Sequence, residues 1–243
     1  MIIVFPMAGR AKRFFDEGYI IPKYMIEINN KSLFEYSLES IPYDIAEKIV
    51  FIALQEHETK YSVTNFIHQK MLKLNIFNFE VILIPEVTRG QAETVLKAEK
   101  YIKENQDLVI YNIDTYFKSS SLRKLLIAKT QKQDGIISAF YIENPNDKWS
   151  YAKIDDNYTV LETAEKIPIS NYALTGMYHF SKGQDFINVA KEHIGKNILN
   201  ANEFYIAPMY NDLIKQGKKF VLDIAEEFLA LGTPDDIKNL LNK

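Results

Sequence analysis

Three short apolar runs, Ile2–Phe5, Lys48–Leu54 and Phe79–Ile84, alternate with stretches of helical spacing. This rhythm is the strongest constraint on the fold. Each run is short and rich in β-branched and aromatic residues, so it reads as a buried strand. Between them, Leu33–Ile41 follows Ser32 with Glu35 three residues on, a capping box. Glu58–Leu74 places Tyr61, Phe66 and Met71 on one apolar side of a helix. Strand–helix–strand–helix–strand implies parallel strands joined by right-handed crossovers. Asp107–Asp114 and Asp134–Ile142 add a fourth and a fifth strand. Then the pattern changes. Ser150–Ile154, Thr159–Lys166 and Tyr172–Phe180 are separated only by turns, which predicts antiparallel pairing. Gly183–Gly195 and Asn202–Gln216 read as helices and Lys219–Ile224 as a late strand. Thr233 and Pro234 read as the cap and first residue of a terminal helix.

The 243 residues suit one large α/β domain, and 47% hydrophobic content supports a large core. A net charge of −3 offers no surface for nucleic acid. With no cysteine, a disulfide framework, a thiolate metal site and a thiol nucleophile are all excluded. The N-terminal apolar run is too short for a signal peptide and lacks basic residues before it. No stretch approaches the roughly 18 apolar residues of a membrane span. A cytoplasmic protein is expected, and assembly into a homo-oligomer is left open.

The chemistry starts where the first strand ends. Pro6-Met7-Ala8-Gly9 leads into Arg10-Ala11-Lys12-Arg13, and Pro22-Lys23 follows. Backbone N–H groups reach phosphate oxygens only where side chains are small, and cations must neutralise the charge. A strand emptying into a small, basic loop therefore suits a polyphosphate. After the third strand, Gly90 and Gln91 open a helix expected to run to about Glu104. The fourth strand ends in a carboxylate, Asp114. Ligands of parallel sheets bind at the carboxyl ends of strands, which sets Asp114 beside the Ala8–Arg13 loop. The ordinary structural alternatives are a solvated surface loop, a helix start capped by Thr88, and a cap at Asp114 for a helix near Ser119.

Gly9, Arg13 and Pro22-Lys23 resemble the first motif of the sugar nucleotidyltransferases (nucleotide-sugar pyrophosphorylases), Gly-x-Gly-x-Arg followed by Pro-Lys. Ala11 stands where that family usually has Gly or Ser. Later motifs follow in the family's order along nearly the whole chain. The resemblance implies an α/β, Rossmann-like three-layer fold with a mixed, mainly parallel central sheet and an added antiparallel acceptor-binding region. Residues 1–243 would form a single domain, 1–133 its nucleotide-binding half and 134–243 its acceptor-binding half. The implied substrates are a nucleoside triphosphate and a phosphorylated acceptor, most simply a sugar 1-phosphate, giving an NDP-sugar and pyrophosphate for cell-surface polysaccharide.

On the same resemblance, Arg13 and Lys23 are the catalytic cations, and Ala8, Gly9, Gly90 and Gln91 line the nucleotide. Lys153, Glu165, Lys166 and Gly176 bind the acceptor, and Asp114 binds Mg²⁺. A second metal aspartate of the family is Ala230 in this chain, so Glu227 is the expected local substitute. Two rival readings stay open: a glycosyltransferase of related fold using a nucleotide-sugar, and a non-catalytic nucleotide-binding module.

Overall fold

The computed structural model describes residues 1–128 and 133–241. In chain order the strands are β1 (Ile2–Pro6), β2 (Glu27–Ile28), β3 (Lys31–Ser32), β4 (Lys48–Leu54), β5 (Phe79–Ile84), β6 (Leu108–Tyr111) and β7 (Thr115–Lys118). They continue with β8 (Gly135–Tyr141), β9 (Ser150–Ile154), β10 (Val160–Glu165), β11 (Tyr172–Phe180), β12 (Phe220–Ala225) and β13 (Glu227–Ala230). The helices are α1 (Lys12–Asp16), α2 (Leu33–Glu39), α3 (Gln55–Tyr61), α4 (Val63–Lys73) and α5 (Gln91–Leu96), then α6 (Leu122–Ala128), α7 (Gly183–Gly195), α8 (Met209–Lys215) and α9 (Pro234–Leu241).

Strand β1 lies at the centre of the parallel part, between β4 and β6, with β5 outside β4. The antiparallel strands continue the same sheet. β11 pairs with β6 through Met177–Phe180 and with β8 on its other edge, while β9 meets β11 at Ala173, on the edge opposite β8, and β10 pairs with β9. The late strand β12 returns parallel to β8.

Successive side chains of a strand face opposite sides, and the core divides accordingly. Ile2 and Val4 face one buried layer with Val95, Phe186 and Met209. Ile3 and Phe5 face the other, with Phe34, Ile67 and Leu122. Helices therefore cover both faces of the sheet, which is the expected three-layer mixed arrangement.

Several boundaries differ from expectation for local reasons. The helix expected over Glu58–Leu74 is two helices, broken at Ser62, whose φ of 52° is left-handed. The capping box at Ser32 forms as read: Glu35 N donates to Ser32 Oγ at 3.3 Å, and Ser32 N donates to the Glu35 carboxylate at 2.9 Å. The helix after Gly90 ends at Leu96. Of the helix expected over Asn202–Gln216 only Met209–Lys215 is helical. The preceding segment instead lies against the Gly90 turn, with Phe204 N donating to Arg89 O and Ala92 N to Phe204 O, both at 3.0 Å. Residues just before the terminal motif form β13, which pairs with β7 in a separate two-stranded ribbon.

Candidate active site

A cleft of about 460 Å³ opens beyond the carboxyl ends of β1, β5 and β6. Its border includes Ala8, Gly9, Arg13, Lys23, Gly90, Gln91 and Asp114, together with Glu165, Lys166 and Gly176. Ten of the twelve expected site residues are thus brought together.

After β1, Met7 N makes a last bond to Ile52 O at 2.9 Å, and the chain then leaves the sheet. Ala8 is buried, and the Cβ direction of Gly9 is open, with nothing within 4 Å. Ala11 has φ 52° and ψ 34°. That left-handed conformation costs an ordinary L-residue roughly 1–2 kcal/mol. The backbone here favours glycine, and Ala11 adopts the conformation under strain. The Arg13 side chain is exposed at the cleft rim.

Pro22 leads into a single 3₁₀ turn, Lys23–Met25, that presents the Lys23 ammonium to the cleft floor. Lys23 Nζ donates to Asp114 Oδ2 at 2.6 Å, and these side chains are only 19% and 27% exposed. Asp114 is not a helix cap. Ser119 does that work, with Oγ accepting from Leu122 N at 3.0 Å. Leu231 N bonds to Asp114 O at 2.9 Å, so β13 delivers Gly232 beside the carboxylate. A Cβ on Gly232 would come within 3.2 Å of Asp114 Oδ2.

Two glycines are demanded by the protein's own packing. Gly90 has φ 150° and ψ 174°, and a Cβ there would sit 2.4 Å from Phe204 N. Gly176 has φ 89°, and a Cβ would lie 2.5 Å from Asn112 Nδ2. Internal packing therefore requires both glycines whether or not a ligand is bound. Asn112 joins both sites: its N donates to Gly176 O at 3.2 Å, and its side-chain oxygen accepts from the Gln91 amide.

Elsewhere on the border, burial raises the pKa of Glu165, with the Ser150 hydroxyl bond and the Lys166 charge acting the other way. Lys166 has φ 57°, and its Nζ donates to Tyr205 Oη at 2.9 Å. Trp149 borders the cleft and also packs edge-on against Phe140 and Phe228, at 5.5 and 5.3 Å between centroids.

Two expected residues fall outside. Lys153 is exposed on β9 opposite Glu162 and does not border the cleft. Glu227 pairs across the ribbon with Lys118, Oε1 to Nζ 3.2 Å, whereas Ala230 at the other end of β13 reaches the cleft. Three residues along a strand is about 10 Å and a change of face, so Glu227 cannot replace a side chain at Ala230. The expected site residues also did not include Asn112, Ser150, Glu203, Tyr205 and Asp236, which all border the cleft. Asp236 was legible as the partner of the Thr233 cap, and its carboxylate accepts from Thr233 N at 2.9 Å and from Lys148 at 2.8 Å. Glu203 and Tyr205 were hidden because their segment has the apolar spacing of a helix.

Among the described residues, no three His, Asp or Glu side chains form a closed metal site. Asp114 offers one carboxylate with a bare glycine beside it. Such a donor set fits Mg²⁺, which accepts one or two carboxylates when phosphate oxygens and water complete its shell. No described helix is long and apolar enough to cross a membrane.

The model of a family described as nucleotidyl transferase matches residues 4–211. The fold is similar to the crystal structure of a nucleoside-diphosphate-sugar pyrophosphorylase from Vibrio cholerae RC9, with 33% identity and a TM-score of 0.85, covering 99% of this chain and 100% of that one. It is also similar to the inositol-1-phosphate CTP transferase from T. maritima, at 15% identity and a TM-score of 0.74, covering 100% of this chain and 94% of that one. In sequence, 127 residues (52% of this chain) are 27% identical to a 2-C-methyl-D-erythritol 4-phosphate cytidylyltransferase from Wigglesworthia glossinidia brevipalpis. That match spans only 50% of the cytidylyltransferase's length.

Proposed function

The chain belongs to the nucleotidyl transferase family, and from that premise we propose that it joins a nucleoside triphosphate to a sugar 1-phosphate, giving an NDP-sugar and pyrophosphate. The observation that carries this reading is the convergence of Arg13, Lys23 and Asp114 with Glu165, Lys166 and Gly176 on the border of one cleft. The first set suits a triphosphate and the second a phosphorylated polyol. The 33% identity to the Vibrio cholerae pyrophosphorylase over 99% of this chain supports the sugar class of acceptor.

The acceptor phosphate is already ionised, so its oxygen attacks the α-phosphorus without a general base. A P–O bond forms there and the bond to the β-phosphate oxygen breaks, releasing pyrophosphate. The barrier is the approach of two anions and the charge growing on the transferring and leaving groups. Arg13 holds the pyrophosphate side of the triphosphate. Lys23 holds the α-phosphate and the incoming phosphate. Lys166 holds the acceptor, and Gln91 offers its amide to the base. Asp114 is the residue that would hold Mg²⁺, which when bound supplies positive charge to phosphate oxygens. Lys23 and Asp114 pair at 2.6 Å, which leaves two ammonium N–H donors and one carboxylate oxygen for a ligand.

The product would supply activated sugar for cell-surface polysaccharide, made in the cytoplasm where triphosphates are. Pyrophosphate release is the test, measured with five nucleoside triphosphates against a panel of sugar 1-phosphates. Release that needs both a triphosphate and a phosphosugar is expected. Hydrolysis of a nucleotide-sugar, or sugar transfer from one, with no release from any pair would refute the reading.

A further inference from the structure

The segment from Asn200 to Ala207 links the Gly90 turn to Lys166, both on the cleft border. At one end its backbone lies on the nucleotide turn through Phe204, bonded to Arg89 and Ala92 at 3.0 Å each. The contact is close enough that only glycine fits at position 90. The Arg89 guanidinium also lies over the Phe204 ring, 4.9 Å from its centroid. The next residue, Tyr205, borders the cleft. Its Oη accepts from Lys166 Nζ at 2.9 Å and donates to Glu203 Oε1 at 3.3 Å. The ammonium is also 5.0 Å from the centre of the Tyr205 ring. Lys166 sits at φ 57°, and its own N is tied to Trp149 O at 3.0 Å. Backbone and head are therefore both held, and the flexible stem between them has little freedom.

We propose that Tyr205 is a positioning residue for Lys166: its hydroxyl, backed by the Glu203 carboxylate, fixes the lysine head for the acceptor phosphate and ties it to the turn that carries Gly90 and Gln91. The proposal rests on the acceptor role given to Lys166 above. An ammonium–phenol–carboxylate chain is charge-assisted at both ends, so it holds geometry better than neutral bonds would. The bond to Tyr205 raises the pKa of Lys166, and burial raises that of Tyr205. Both shifts favour an ammonium donating to a neutral phenol. A long side chain otherwise retains rotamer freedom that the acceptor must remove on binding.

Tyr205→Phe keeps the ring and the Phe204 contacts and removes only the hydroxyl. Two measurements read it. In the first, trace acetylation followed by mass spectrometry reports the reactivity of each lysine in the free protein. Lys166 should acetylate several-fold faster in the variant, with other lysines unchanged. In the second, steady-state kinetics should give an acceptor KM raised about tenfold with kcat little changed, the pattern of lost uniform binding. Glu203→Gln should move both readouts in the same sense by less. Unchanged Lys166 acetylation in Tyr205→Phe overturns the proposal, as does unchanged acceptor KM. If wild type releases no pyrophosphate with any pair, the proposed reaction fails, while acetylation still decides whether Tyr205 holds Lys166.

Discussion

Substituting Gly90 by alanine should both destabilise the protein and damage the site, and its size follows from the geometry. At φ 150° and ψ 174° an alanine occupies a region that is essentially glycine's alone, at a cost of about 1–3 kcal/mol. Its Cβ would also lie 2.4 Å from Phe204 N and 2.9 Å from Phe204 O, both backbone atoms that cannot rotate aside. Overpacking of this kind costs about 1–3 kcal/mol. The chain can instead move the 204 segment away, but it then loses the two 3.0 Å bonds to Arg89 and Ala92, at about 1 kcal/mol each. Either route gives a loss of about 4 kcal/mol. For a chain of this size that is a fall in Tm of about 8–16 °C. Urea denaturation and thermal scans measure it, and Gly9→Ala is the control. Gly9 has nothing within 4 Å of its Cβ position, so its alanine variant should stay within about 1 kcal/mol of wild type while weakening triphosphate binding. A Gly90→Ala protein within about 0.5 kcal/mol of wild type would refute the argument that packing against Phe204 requires the glycine.

Lys23→Ala should lower kcat/KM by roughly 10²–10³, the scale of one preorganised charge contact, with folding intact; wild-type turnover would remove Lys23 from the mechanism. Asp114→Asn should abolish Mg²⁺-stimulated pyrophosphate release, and Mg²⁺ titrations should show tight binding only with nucleotide present. Glu227→Gln should leave that nucleotide-dependent Mg²⁺ affinity unchanged, because Glu227 is paired with Lys118 outside the cleft; a loss of affinity would contradict its placement. Acid stability should depend on Glu35, for which burial acts upward but the hydrogen bonds from Lys70 and Ser32 prevail and lower the pKa to about 2. A depressed folded-state pKa contributes stability that is present above the unfolded value near 4.5 and lost as pH falls toward 2. Denaturation midpoints of Glu35→Gln should therefore vary less than wild type across that window, and parallel curves would refute the assignment.

Much of the parallel half of the sheet was legible because its signals are local. Apolar runs of strand length, the Ser32 box and the small, basic loop after β1 each depend on residues close in sequence. Strand ends of a parallel sheet must gather their loops, so Arg13, Gly90 and Asp114 could be placed together without coordinates. Ala11 was visible as a departure, and its left-handed φ of 52° supplies the reason glycine suits that position.

What the chain could not announce depends on contacts between distant segments. The 200–207 segment has a helical pattern, yet its backbone is satisfied by the Gly90 turn over a hundred residues away. Gly176 looks like a ligand-facing glycine until Asn112 is found crossing it. Glu227 and Ala230 are three residues apart in sequence, but the pairing of β13 with β7 sends one to Lys118 and the other to the cleft. Local propensity determines most of the elements that form. Only the register of one element on another determines where a given side chain ends, because shifting a strand by one residue moves it to the opposite face.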